Sequence, residues 1–159
     1  MSTSITKQEI LNFKKDNPKI GYYGISKHFN LSLKELLELL NITNYKIDKF
    51  NNLNFYDVNS NKTYCEWLDG VWEKYEYDKY GNETYSEDSN GFWVKFKYDN
   101  NGNLTYVENS NGYWVKFKYD ENGNQTYHER SYGDWIKREY DNNGKLVKVE
   151  YSDGEIINY

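Results

Sequence analysis

Four aspartates, Asp78, Asp99, Asp120 and Asp141, recur at steps of 21 residues, and carboxylates in such a series invite a catalytic or calcium-binding reading. A calcium loop needs oxygen ligands at alternating positions and glycine at the sixth. Asp99, Asn101 and Asn103 alternate, but Leu104 stands where that glycine belongs, and Lys145 breaks the set in the last copy. Asp and Asn also favour turns in their own right, through side-chain bonds to nearby backbone. The two histidines, His28 and His128, have no serine or cysteine at nucleophile spacing. His28 reads as a surface residue and His128 as a substituted repeat position. A residue present in every module is architecture first. The reading is therefore a non-enzyme, with no cofactor and no metal.

A second constellation repeats with the same step. Trp72, Trp93, Trp114 and Trp135 lie 21 residues apart, with Lys95 and Lys116 two residues beyond two of them. Lysine stems laid over tryptophan are an ordinary way to solubilise a sheet face. The same pair can also make a ligand surface, stacking from Trp and charge from Lys, as on single-stranded nucleic-acid platforms. Asp99, Asp120 and the net acidity oppose that use. Exposed aromatics are favoured anchors at protein interfaces, so Trp72, Trp93, Trp114, Trp135, Lys95 and Lys116 are candidate protein-binding residues.

The composition bounds what can carry these residues. Mean hydropathy is −1.06, yet 19% of the 159 residues are aromatic, with 18 Tyr, 7 Phe and 5 Trp. Disordered chains are poor in aromatics, so a folded chain with aromatic packing is expected. Cys65 is the single cysteine, which excludes an intramolecular disulfide. The start "MSTSITKQEI" has no apolar signal region and no stretch has the length of a membrane span. A cytoplasmic protein of a bacterial host, with no membrane partner, is the expectation. Heavy use of Asn, Lys, Tyr and Ile is the composition of an AT-rich bacterial or phage genome.

Charge divides the chain. Residues 1–50 hold 8 Lys against 5 acids, a balance of +3, and residues 51–159 carry −8. The basic part reads as three short helices over 1–44, followed by a linker over 45–55. Thr6–Glu9 and Ser32–Glu35 are capping boxes, and Asn17-Pro18 stops the first helix. "GISKHFNLSLKELLELL" resembles the helix-turn-helix of winged-helix regulators. That resemblance implies DNA binding through the third helix, with Lys14, Lys15, Lys19, Lys27 and Lys34 as candidate nucleic-acid contacts. Glu35 and Glu38 on the solvent side of that helix work against phosphate binding.

Residues 56–159 read as an acidic, Tyr/Trp-rich array. Gly70, Gly91, Gly112, Gly133 and Gly154 form one series and Gly81, Gly102, Gly123 and Gly144 another, each stepping by 21. Glycine beside Asn or Asp every ten or eleven residues is turn punctuation between strands, so one repeat is one hairpin. The fold class is thus α+β, a helical head before an antiparallel β-meander of about five hairpin repeats, roughly nine or ten strands. A three-residue loop closing on Gly102 sets Tyr98 against Leu104 and Phe96 against Tyr106. A two-residue type I′ turn at Asn111-Gly112 sets Asn109 against Trp114. This register puts Val94, Phe96, Tyr98, Leu104, Tyr106, Val115, Phe117 and Tyr119 on one face. The other carries Trp93, Lys95, Lys97, Thr105, Val107, Trp114, Lys116 and Lys118. Glu73 and Arg138, in place of the Val94 and Phe96 types, read as polar caps at the ends.

The repeats "YDNNGNLTY" and "YDENGNQTY" resemble the Tyr-Asp (YD) repeats of the Rhs family over about residues 56–155, through Tyr98-Asp99, Gly102-Asn103, Thr105 and Tyr106. Rhs proteins coil hundreds of residues into a shell around a toxin. So few copies cannot close a shell, and what the resemblance implies here is β-hairpin character. Three functions follow from the whole reading. The first is a phage or mobile-element accessory factor that binds, and inhibits as an anti-CRISPR protein would, a nucleic-acid-associated host protein. The second is a DNA-binding regulator whose repeats dimerise it, and the third an Rhs-like surface or toxin-associated repeat fragment. A protein partner is expected, DNA or RNA is an alternative, and the aromatic face is a candidate homodimer contact.

Overall fold

One five-residue turn recurs along the array, and that turn explains most of the architecture. At 99–103 the Asp99 N–H donates to Asn103 O at 2.9 Å and Gly102 N–H donates to Asp99 O at 3.1 Å, with Gly102 at φ +85°. One left-handed residue after a type I turn suits glycine, which has no Cβ to clash. The computed structural model describes residues 5–159. In it α1 (Lys7–Asp16), α2 (Tyr22–His28) and α3 (Leu33–Leu40) precede twelve strands, paired antiparallel in chain order from β1 (Tyr45–Ile47) to β12 (Ile156–Asn158). The α+β reading of helices followed by a meander of hairpins holds. None of the described helices is long and apolar enough to cross a membrane.

Twelve strands exceed the nine or ten expected, and the surplus lies where a linker was expected. Residues 45–55 contain β1 (Tyr45–Ile47) and most of β2 (Leu53–Tyr56). Their turns keep the bonding of the others, Asp48 N–H to Asn52 O at 3.0 Å and Asp57 N–H to Asn61 O at 2.9 Å. Asn51 (φ 64°) and Ser60 (φ 69°) take the left-handed place that glycine holds later. Without glycine these turns escape a glycine count.

The described chain falls into two compact units, residues 5–77 with 86–91, and residues 78–85 with 92–159. In the first, Ile10, Ile25 and Leu36 form the buried centre of the helices, packed by Phe13, Ile20, Tyr22 and Phe29. Both expected capping boxes form. The N-cap of α2 is Gly21, which offers no side chain. The missing acceptor comes from β3 (Lys62–Glu66). Glu66 is fully buried, and its carboxylate accepts from Tyr22 N at 2.6 Å, Tyr23 N at 2.9 Å and the Tyr64 hydroxyl at 2.9 Å. A carboxylate there satisfies orphan N–H groups and complements the helix dipole. Burial pushes its carboxyl above the ordinary range, with the three donors pulling it back.

The second unit contains β6 (Trp93–Tyr98), β7 (Leu104–Asn109), β8 (Trp114–Tyr119), β9 (Gln125–Arg130), β10 (Trp135–Tyr140) and β11 (Leu146–Tyr151). Here two register expectations need correction. The 109–113 turn is not a type I′ turn: Asn109 N–H donates to Tyr113 O at 3.0 Å and Gly112 N–H to Asn109 O at 3.0 Å, the same pattern as at 99–103. A type I′ turn needs two residues at positive φ, and only Gly112 has it. Tyr98 does face Leu104, but a bulge then leaves Thr105 over, so Lys97 faces Tyr106 and Phe96 faces Val107. The Thr105 hydroxyl donates to Lys97 O at 3.1 Å, occupying a carbonyl the bulge frees. The same shift recurs at Lys118/Tyr119 and Glu139/Tyr140. A one-residue slip exchanges faces. Val107 therefore joins Phe96 and Val115, and Tyr106 joins Lys97 and Lys116. The expected contrast on β6 and β8 remains, with Phe96 and Phe117 half-buried and Lys95 and Lys116 exposed.

Candidate interaction face

On β6, β8 and β10 the sequence alternates Trp-x-Lys-x-Lys or Trp-x-Lys-x-Glu, and pleating sends these residues to one face. Each lysine lies over the ring two residues before it. Lys95 Nζ is 4.5 Å from the Trp93 ring centre, Lys116 is 4.3 Å from Trp114, and Lys137 is 4.3 Å from Trp135. Across the bulges, Lys97 lies 5.2 Å from the Tyr106 ring and Lys118 5.3 Å from Tyr127. A cation held so gains from the ring quadrupole and covers apolar area with its stem.

Carboxylates thread between the rings. Glu108 pairs in register with both Lys95 and Trp114, and Glu129 with both Lys116 and Trp135. At the β10–β11 end, Lys137 approaches Glu150 at 3.9 Å, and Lys148 bonds Glu139 at 2.9 Å, which raises the Lys148 ammonium above its ordinary range. A shallow cleft of about 650 Å³ opens among Lys97, Tyr106, Lys116, Lys118, Tyr127 and Glu129. Partial burial, then the neighbouring Glu108 or Glu129, push the Tyr106 and Tyr127 hydroxyls upward, so both stay neutral donors.

The candidate residues thus separate. Trp93, Trp114, Trp135, Lys95 and Lys116 come together on one half-exposed face. Trp72, counted with them by spacing, does not belong to an exposed row: it is 6% exposed, and its Nε1 donates to Lys19 O at 2.7 Å. Its ring is spent on holding the segment between α1 and α2 to β4 (Trp72–Tyr77). Among the candidate nucleic-acid lysines, two are corrected in the same way. Lys14 donates to the Ile20 and Pro18 carbonyls and lies near the Tyr22 and Trp72 rings, and burial holds its ammonium below the ordinary range. Lys19 donates to Asn90 O at 3.1 Å. Lys15, Lys27 and Lys34 are exposed, and Lys34 lies 3.8 Å from Glu38. Lys97 and Lys118 were placed on this face but not among the binding candidates, and Lys137, Tyr106 and Tyr127 were missed. Lys137 keeps the step of Lys95 and Lys116 and was legible; the tyrosines depend on the bulge.

The aspartate series is turn chemistry. Asp99 Oδ1 accepts from Asn101 N and Asn103 N, both at 2.9 Å, and Oδ2 accepts from the Asn103 amide at 3.0 Å. Asp78 and Asp120 repeat the set, and so do Asp48 and Asp57 in the early turns. The N–H groups two and four residues on thus occupy the carboxylate oxygens that a metal reading would turn to an ion. No group of three or more His, Cys, Asp or Glu able to hold a metal occurs among the described residues.

No family model matches the chain, and no curated protein matches it. Solved structures share its fold. The Photorhabdus luminescens Tc holotoxin pore, carrying a mutation in TccC3, superposes with TM-score 0.54 at 15% identity over 66% of this chain and 7% of that one. TcdB2–TccC3 without its hypervariable C-terminal region gives TM-score 0.56 at 12% identity over 82% of this chain and 8% of that one. The TcdB2–TccC3–Cdc42 structure gives 0.53 at 11% identity over 67% and 7%. The chain therefore spans less than a tenth of the length of these proteins, and what it shares with them is the repeated antiparallel meander.

Proposed function

We propose that the chain is a non-enzymatic repeat module of the YD type that binds a protein through the Trp–Lys face of its second unit. The observation that carries this reading is the row of three tryptophans, each half-exposed under a lysine ammonium at 4.3–4.5 Å. On alternate strands they stand roughly 10 Å apart, which suits an extended surface more than a small-molecule pocket. The solved relatives in fold include toxin components crystallised together, TcdB2 with TccC3, which supports a protein as the partner. The aspartates that could have served catalysis are engaged by their own turns. Neither the phage-inhibitor reading nor the DNA-regulator reading gains a specific observation. Photo-crosslinking from position 116, with capture from the native host extract, compares the wild type with Trp93→Ala/Trp114→Ala. Loss of the crosslinked protein with far-ultraviolet dichroism intact supports the face. Undiminished crosslinking by the double variant removes it.

A further inference from the structure

The apolar face of the second unit is broken at β9 and β10, by His128 and Arg138. His128 on β9 occupies the place held by Val107 one repeat earlier and Val149 one repeat later, and it is 8% exposed. Its register partners are Phe117 on β8 and Ile136 on β10, neither of which can bond an imidazole. Nδ1 lies 3.5 Å from Arg138 Nη1, and Nε2 is buried with no hydrogen-bond partner. Arg138 itself stands where Phe96 and Phe117 stand in earlier copies, and donates to Gln125 Oε1 at 2.8 Å. Arg130, two residues along β9, is tied to Asp134 at 2.8 Å. These are the only two arginines in the chain, and both flank the buried histidine.

The charged groups facing His128 are thus two guanidiniums and the Asp134 carboxylate, whose Oδ2 is bound to Arg130 and whose Oδ1 is buried without a partner. From β8 come only Val115 and Phe117, from β10 Ile136 and Arg138, and Val149 of β11 backs Arg138. A neutral imidazole can accept from Arg138 at Nδ1. A protonated one is a donor at both nitrogens, with another donor at Nδ1 and no acceptor within hydrogen-bond distance of Nε2. We propose that His128 is a proton-operated release point in the β9–β10 hairpin: neutral, it lets the strands close over it; protonated, it sets a third cation beside Arg138 and Arg130 and loosens them.

The sign follows from the fold. Burial, then Arg138 and Arg130, hold the imidazole below its ordinary 6.5. The unfolded chain therefore takes up the proton first. The stabilisation is complete above 6.5 and is lost as pH falls through the lower folded value.

Amide hydrogen exchange across 125–140 and the urea midpoint, measured on the full chain from about pH 7.5 to about pH 5, test this. With intrinsic rates corrected, the wild-type hairpin opens roughly tenfold more at the acid end. His128→Val, the residue the array uses at this register, removes that increment. Arg138→Phe, also a residue of the array, shrinks it by deleting the nearer cation. Parallel pH profiles for wild type and His128→Val overturn the proposal. So does an unchanged acid step in Arg138→Phe, which decides the matter if the valine variant does not fold.

Discussion

A β-carbon on Gly21 would stand 2.1 Å from Oε1 of Glu66, a residue on another element 45 positions away in the chain. The glycine leaves room, and the carboxylate supplies the N-cap that glycine lacks. Removing either partner orphans the Tyr22 and Tyr23 N–H groups in a buried place.

Glu66→Ala should therefore cost roughly 2–6 kcal/mol, at about 1–3 for each of the two stranded N–H donors. Gly21→Ala should approach that loss by expelling the carboxylate. Urea unfolding of both variants and the double variant should give a total well short of the sum, because the two changes break one interaction.

The turn aspartates predict an acid limb of instability. Hydrogen bonds from Asn61, Asn82, Asn103 and Asn124 hold Asp57, Asp78, Asp99 and Asp120 below their ordinary 3.8. A lowered folded value means stability that is complete above 3.8 and lost as pH falls through the folded value. Thermal melts from about pH 5 to about pH 2 should show a shallower decline in Asp99→Asn/Asp120→Asn than in the wild type.

Phe96 is half-buried rather than enclosed, so Phe96→Ala should cost about 1–3 kcal/mol, less than the 3–5 of a sealed core. Lys95→Ala should stay within about 0.5 kcal/mol, the range of surface changes. Val107→Asp reads out the corrected face. A loss of stability comparable with Phe96→Ala places Val107 beside Phe96, and a neutral result would return it to the lysine side.

Tyr119 and Tyr140 reach back one strand, donating to Leu104 O at 2.9 Å and Gln125 O at 3.1 Å. Each Tyr→Phe change should cost about 0.5–1.5 kcal/mol. Because the two bonds share no residue, urea midpoints of the double variant should show near-additive losses.

Much of this fold was legible because its signals are local. Glycine recurring beside Asn and Asp announced the hairpins, and Thr6–Glu9 and Ser32–Glu35 announced two helix starts. The first two strands escaped because Asn51 and Ser60 replace glycine at the turn. The bulge at Thr105 escaped because nothing in "NLTY" shows that one residue will be skipped in pairing. Charge counting placed Lys14 and Lys19 on a basic surface, yet both bond carbonyls of the protein itself. Composition says which side chains exist; only packing says where a flexible ammonium ends up. The partnership of Glu66 with Gly21 joins distant segments and carries no periodic signal at all.

The bonds that join one strand of the array to the next all have short reach. Ser110 N–H donates to Trp93 O and Ser131 N–H to Trp114 O, while Tyr119 and Tyr140 hydroxyls reach 15 residues back. Excising residues 99–119 would bring Tyr98 against Asp120, restoring the Tyr-Asp pair found at 56–57, 77–78, 98–99, 119–120 and 140–141. Each remaining strand would find a neighbour offering the same donors and acceptors. In such a nearest-neighbour lattice, stability accrues step by step. Copy number is then a quantity that unequal recombination between repeats can raise or lower, with the reading frame and the hydrogen-bond lattice conserved together.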